Sequence, residues 1–220
     1  MRFTRAKDEG YSLVEMLIVM ALFAMLMTMV FSILIQLTYQ ARDELARARS
    51  VEQARLGISQ IDRQVRSGNL IKDPALDGVA ESGVAPYYSM RIFTQEGGAQ
   101  RCAQWRVITP TGQSYGNLEF RSWDVNYPAG DVTDWFVVAQ NSVEAPTAGT
   151  PDPNDPTSWP PFWIDTSINT GTKAQNIRVT LRMRDPEIDS DTAVVVSTVV
   201  TGRNTVFGYS DTECDTIPPV

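Results

Sequence analysis

Three residues near the start of the chain pose a chemical question. Gly10 closes a short polar leader, the aromatic Tyr11 follows it, and a carboxylate, Glu15, stands five residues past the glycine where an apolar run has already begun. An ionised side chain in hydrocarbon costs at least about 2.5–3.5 kcal/mol, so Glu15 requires either an interface or a partner charge.

The rest of the chain offers little conventional catalytic chemistry. It contains 0 histidines, which excludes Ser-His-Asp and Cys-His machinery, an imidazole base and His metal ligands. Cys102 and Cys214 are the 2 cysteines, and neither lies in a metal-type spacing, so a zinc site built from four Cys or His ligands is excluded. An oxidising compartment would permit them to pair, and a loop of that length is worth roughly 4–5 kcal/mol in the chain-entropy model. Two unpaired small hydrophobes are the other reading. Asp185, Glu187, Asp189 and Asp191 alternate in "DPEIDSD", while Asp152, Asn154 and Asp155 crowd a proline-rich loop. Oxygen-rich clusters suit Ca²⁺, but the spacing matches no EF-hand, and solvated turns have the same composition. No acid pair is singled out for glycosidase chemistry, so an enzyme is not expected, and no cofactor other than that Ca²⁺ is implied. Tyr87, Tyr88, Trp105, Trp123, Trp135, Trp159 and Trp163 read as core and loop packing ahead of an adhesive aromatic surface.

These residues must be positioned by two kinds of element. From Met16 to Ala41 no residue is charged, and at 1.5 Å per residue about 20 such residues cross a hydrocarbon core of roughly 30 Å. A membrane span over about 14–38 is predicted. Arg2, Arg5 and Lys7 precede it and favour a cytoplasmic N-terminus, with the residues after about 41 outside. Ala41, Leu45, Ala48, Val51, Ala54, Ile58, Ile61 and Val65 then recur at helical spacing between charged residues, which predicts an amphipathic continuation over about 41–67. No proline occurs from 11 to 73, and Ser67-Gly68-Asn69 reads as a stop, so one helix is expected to occupy 11–69.

Beyond residue 70 the period becomes two. Strands are predicted at 87–94, 103–109, 117–123, 134–140, 176–184 and 192–202, with a long loop over 145–161 that holds six of the 13 prolines. Short spacings without intervening helices imply an antiparallel sheet. The expected fold class is therefore α+β, a long N-terminal helix packed on an antiparallel β-sheet domain over 70–220. Residues 1–69 carry 9 basic against 7 acidic side chains, and residues 70–220 carry 10 against 19. An outer domain of net −9 opposes any broad nucleic-acid surface.

The stretch "GYSLVEMLIVMALF" resembles the processing site of type IV prepilins and type II secretion pseudopilins, in which Gly is followed by an aromatic residue, Ser/Thr-Leu-Ile/Val and Glu. A secretory signal would instead place small residues beyond the apolar run, and "QLTYQARDE" supplies no Ala-x-Ala. The resemblance implies a pilin-like fold with residues 1–10 as the leader, cleavage after Gly10 by a prepilin peptidase, and N-methylation of Tyr11, where most members have Phe. It assigns Glu15 to the amine of a neighbouring subunit's first residue during fibre assembly, with a bond inside its own helix as the alternative. The implied partners are the prepilin peptidase, other pilin or pseudopilin subunits, a membrane assembly platform and the lipid bilayer before assembly. "ARLGISQIDRQVRSGNLI" and "VVVSTVVTGRNT" are similar to W-type minor pilins and J-type pseudopilins. The expected function is a minor pilin-like structural, priming or tip subunit, membrane-anchored first and displayed on a cell-surface fibre afterwards. A J-like pseudopilin and a signal-anchored binding domain that never polymerises are the alternatives.

Overall fold

A computed structural model of the chain describes residues 10–96, 98–144, 151–168, 175–187, 193–203 and 209–220. The chain divides into two compact units, Met1–Leu45 and Ala46–Val220. One helix, α1 (Leu13–Ser67, 55 residues), contributes to both.

In the first unit every residue from Gly10 to Leu45 is exposed, although the sequence there is almost wholly apolar. This helix is long and apolar enough to cross a membrane. Its Ser and Thr hydroxyls within α1 are satisfied without water. Thr28, Ser32 and Thr38 each donate to the carbonyl one turn back, on Ala24, Thr28 and Leu34, at 2.7–2.8 Å. Such back-bonding leaves these three hydroxyls no orphan donor for lipid to meet.

The second unit is built on a sheet of eight strands, β1 (Gly68–Ile71), β2 (Ser89–Glu96), β3 (Ala99–Ile108), β4 (Gly116–Asp124), β5 (Phe136–Ser142), β6 (Phe162–Trp163), β7 (Asn176–Met183) and β8 (Val194–Thr201). The order is β1-β2-β3-β4-β5-β7-β6, with β8 also on β7, and each of these neighbouring pairs is antiparallel. A one-turn helix, α2 (Val79–Ser82), lies between β1 and β2. The sheet curls because its ends are tied. The Gln175 amide side chain accepts from the Ile71 amide at 2.6 Å and donates to the Ile71 carbonyl at 3.3 Å. Arg203 N–H also reaches the Gly68 carbonyl at 3.2 Å.

The main core lies between this curl and the second half of α1, with Ile61 and Val65 against Met90, Ile92, Trp105, Leu118, Ile177, Leu181 and their neighbours. The buried face of α1 differs from the predicted stripe. Ala54, Ile61 and Val65 are buried as expected, but Ala41, Leu45 and Ala48 are exposed, and Ala46, Ser50, Gly57 and Gln64 are buried instead. The reason is the space available. A Cβ at Gly57 would lie 2.7 Å from Leu118 Cδ2, 3.1 Å from Leu181 Cδ1 and 3.6 Å from Ala139 Cβ. The helix therefore approaches the sheet along its smallest residues, and hydropathy alone picks the wrong edge of that face. Ser50 is tolerated there because its hydroxyl donates to the Ala46 carbonyl at 3.1 Å.

The predicted strands appear with end shifts of a few residues. Two others escape the period-two reading: β1 opens with the Gly68-Asn69 pair that also ends the helix, and β6 has only two residues. Replacing Gly57 by leucine should cost about 1–3 kcal/mol through overpacking, against about 1 kcal/mol regained in helix propensity. A lower midpoint in thermal melts of the full chain, with β-sheet circular dichroism retained at low temperature, is the expected outcome.

Candidate functional site

Gly10, Tyr11 and Ser12 precede α1 and are exposed, Tyr11 by 76%. The Ser12 carbonyl accepts the amides of Glu15 at 3.0 Å and Met16 at 3.2 Å, so Ser12 is the N-cap and Glu15 the third helical residue. "SLVE" has the Ser-x-x-Glu spacing of a capping box, a start signal that periodicity does not use. Glu15 thus lies in the first turn of α1, where the positive end of the helix dipole favours a carboxylate. One turn earlier is Tyr11, whose amine would become a cation if the chain were cut after Gly10. The fold itself makes no demand for glycine at that position. A Cβ there meets no described atom within 4 Å, and its backbone is not in the left-handed region.

Comparison with known families matches residues 5–31 to the prokaryotic N-terminal methylation motif. The chain carries the methylation motif of the type IV prepilin and pseudopilin family. The match contains Gly10, Tyr11, Glu15 and the first part of the apolar helix, which are the residues gathered at the start of α1. Comparison of the whole chain with curated proteins and with solved structures finds no match.

The cysteine expectation falls on the face of the sheet away from the main core. Cys102 on β3 is bonded to Cys214, with Cα atoms 5.6 Å apart and a sequence separation of 112. Around the bridge, Phe93 and Trp123 form a second small core with Leu70, Val125, Tyr127, Tyr209 and Ile217. The bridge secures a C-terminal segment across an unusually polar sheet face. Arg91 donates to the Cys214 carbonyl at 2.7 Å, while Arg121 donates to the carbonyls of Pro219 at 2.9 Å and Pro218 at 3.1 Å. Lys72 pairs with Asp215 at 2.8 Å and also donates to the Asp211 carbonyl.

This face follows from strand alternation, since Ser89, Arg91, Gln104, Arg106, Glu119 and Arg121 point away from the main core. Asp77 is fully buried and takes Arg91 at 2.6 Å. Arg106 pairs with Glu119 at 2.8 Å and lies 3.9 Å from the Trp135 ring centroid, with Arg121 at 4.4 Å from the same ring. Burial above all, and then the nearby charge of Arg106, lower the Arg121 pKa to about 10. It therefore remains a cation at neutral pH, and its fork of donors holds the terminal carbonyls.

The acidic clusters have assigned work. Asp185 and Glu187 face Arg49 of α1 at 3.7 and 2.8 Å; Asp189 and Asp191 lie outside the described residues. Asp152 accepts the Asn154 amide, and Asp155 caps a one-turn 3₁₀ helix (Pro156–Ser158) by accepting the Thr157 amide, each at 2.9 Å. Hydrogen bonds from the Thr157 hydroxyl and amide hold the Asp155 pKa below its usual value. Among the described residues no group of three or more acids or cysteines converges as a metal site. The aromatics mostly pack: Trp105, Trp123 and Trp163 are buried, and the exposed proline-rich loop is anchored by Trp159 Nε1 on the Asp152 carbonyl at 2.8 Å and by the Arg178 guanidinium 3.8 Å from the Trp159 centroid.

Replacing Cys214 by alanine should cost about 2–4 kcal/mol of stability and free the C-terminal segment from β3. Denaturant unfolding of the full chain, with and without reductant, checks this: reductant should destabilise the native protein and leave the variant unchanged.

Proposed function

We propose that this chain is a minor pilin-like subunit, cleaved after Gly10, N-methylated at Tyr11 and built from the membrane into a type IV pilus or related fibre. The observation that carries the proposal is the placing of Gly10, Tyr11 and Glu15 at an exposed helix start that leads without a break into a span-length apolar surface. In this reading a prepilin peptidase takes the leader, of net charge +1 from Arg2, Arg5 and Lys7 against Asp8 and Glu9. What remains is a mature chain of 210 residues, net −8. The bilayer holds α1 until an assembly platform transfers the subunit among other pilins.

Glu15 has its role in that transfer. Packed among apolar helices it would be an uncompensated charge, and the Tyr11 amine of the adjoining subunit neutralises it. The role is structural rather than catalytic: apolar packing of α1 supplies the driving force, and the ion pair sets the register of one subunit on the next. The head is displayed outside, where the Cys102–Cys214 bridge suits an oxidising environment. Membership of a type II secretion pseudopilus, as a J-like subunit, rests on the same geometry.

Mass spectrometry of the protein from cells with and without the peptidase tests the processing step. The expected mature species begins at methylated Tyr11, and Gly10→Val should leave the leader attached without altering the head. An intact Met1 in peptidase-competent cells would overturn the reading in favour of a plain signal anchor. For assembly, Glu15→Ala should be cleaved normally yet leave an amine unpaired among packed helices, a loss of about 3–5 kcal/mol. Its abundance in sheared fibres should then fall on the order of a hundredfold.

A further inference from the structure

The aromatic residues of the head form a path that runs out of the core and ends in the open. Trp105 and Phe120 lie 4.6 Å apart between ring centroids, and Phe120 and Phe136 lie 5.1 Å apart edge to face. Their exposures are 2%, 8% and 50%, so the last ring has one face packed and the other bare. Together with Leu56 and Arg63 of α1 and Val138 of β5, they line a groove of about 320 Å³.

The groove is a product of the sheet topology. β5 meets β7 at a single register pair, Ser142 with Met183, so the two strands part before Val138 and Phe136. The Gln140 amide turns to the Gln53 side chain at 3.2 Å. The sheet is thereby left open beside α1, and Leu56 and Phe136 remain 46% and 50% exposed.

The groove's charge is opposite in sign to that of the head. No acid lines it, and Arg63 stands over it. The Arg63 guanidinium donates to the neutral Gln60 side chain at 2.7 Å; among the described residues no carboxylate lies within ion-pair distance of it. Aromatic rings and an arginine around a slot also lined by Gln60 and Gln64 are the composition of protein-binding hot spots, and a rim cation selects for an acid on the partner.

We propose that this groove docks a peptide segment of a partner polypeptide, an aromatic or branched aliphatic side chain entering against Phe136 and Phe120 while an adjacent Asp or Glu meets Arg63. The proposal goes beyond the fibre reading and does not depend on it, because the groove is complete within Ala46–Val220.

The test uses the full chain in lipid nanodiscs with ¹⁵N-labelled tryptophan, the Trp105 indole signal being assigned by its loss in Trp105→Phe. The probe is the capped tetrapeptide acetyl-Gly-Phe-Asp-Gly-amide. It should shift the Trp105 signal saturably, and its Phe-Asn analogue should bind about two- to five-fold more weakly, as befits a solvent-exposed ion pair. Arg63→Gln should abolish that difference. Phe136→Ser, with the other indole signals unmoved, should weaken both peptides about tenfold or more.

Four results would overturn the proposal. These are no shift at Trp105, equal affinity for the Asp and Asn peptides in the native chain, phenylacetate binding as tightly as the peptide, and concentration-dependent movement of the same signal without peptide. The third would assign the groove to free hydrophobic acids, and the fourth to a second copy of this chain.

Discussion

The peptide hydrogen-bond ladder of α1 is the constraint to which the other features answer. Hydrocarbon offers no water to an unpaired N–H or C=O, so a spanning segment must satisfy its backbone internally. From Leu13 onward the chain does so without interruption for 55 residues, with no proline and with its Ser and Thr hydroxyls bonded back into the same ladder. A single glycine, Gly57, falls inside the helix. It weakens the helix by about 1 kcal/mol relative to alanine, and it falls where the sheet comes nearest. The weakest residue for helix formation is thus at the point where a side chain would hold the sheet away.

Once the helix occupies one face of the curled sheet, strand alternation leaves the other face to be covered by something else. Here the cover is mostly polar. Arg91, Arg121 and Lys72 supply donors to a C-terminal segment that has no regular partner of its own, and the Cys102–Cys214 bond holds that segment in register. An irregular chain brings backbone carbonyls that must be satisfied when buried. Guanidinium groups suit this work because each offers several donors in a fixed plane and stays charged even where burial lowers its pKa, as at Arg121. The same residue types that read as solvated strand faces in the sequence therefore serve as the mortar of a second layer.

Much of the architecture was legible because it obeys simple periods. The apolar run, the helix and six strands are each announced by hydropathy or alternation over enough residues to be distinctive. The failures have physical causes. β1 was hidden because Gly68-Asn69 serves both as a helix stop and as a strand start, and β6 because two residues carry no period. The inner face of α1 was misjudged because Ala46, Ser50 and Gly57 are selected by size, while a stripe drawn through Leu45, Ala48 and Val51 is selected by hydropathy. The polar back layer was unreadable in one dimension, since Asp77, Arg91, Gln104 and Arg121 are brought together only by strand pairing. The parting of β5 from β7, and with it the groove over Phe136, depends on pairings that no local pattern encodes.

The N-terminal motif stands apart from all of this in one respect. Most residues of the head can be explained by what they touch, but Gly10 and Tyr11 touch nothing that requires them, and Glu15 needs only a cap that several other residues could supply. Residues whose identity the fold does not need must be read by another molecule or be needed at another stage. Under the proposed function Gly10 fits the first case, as a recognition position at an exposed residue. Under the same proposed function Glu15 fits the second: its charge is a burden to a lone apolar helix and would become an asset once cleavage had created an amine and packing had removed water. On that proposal a helix carrying both features would hold back part of its stabilisation until it met its neighbours, and its sequence would encode an assembly as well as a fold.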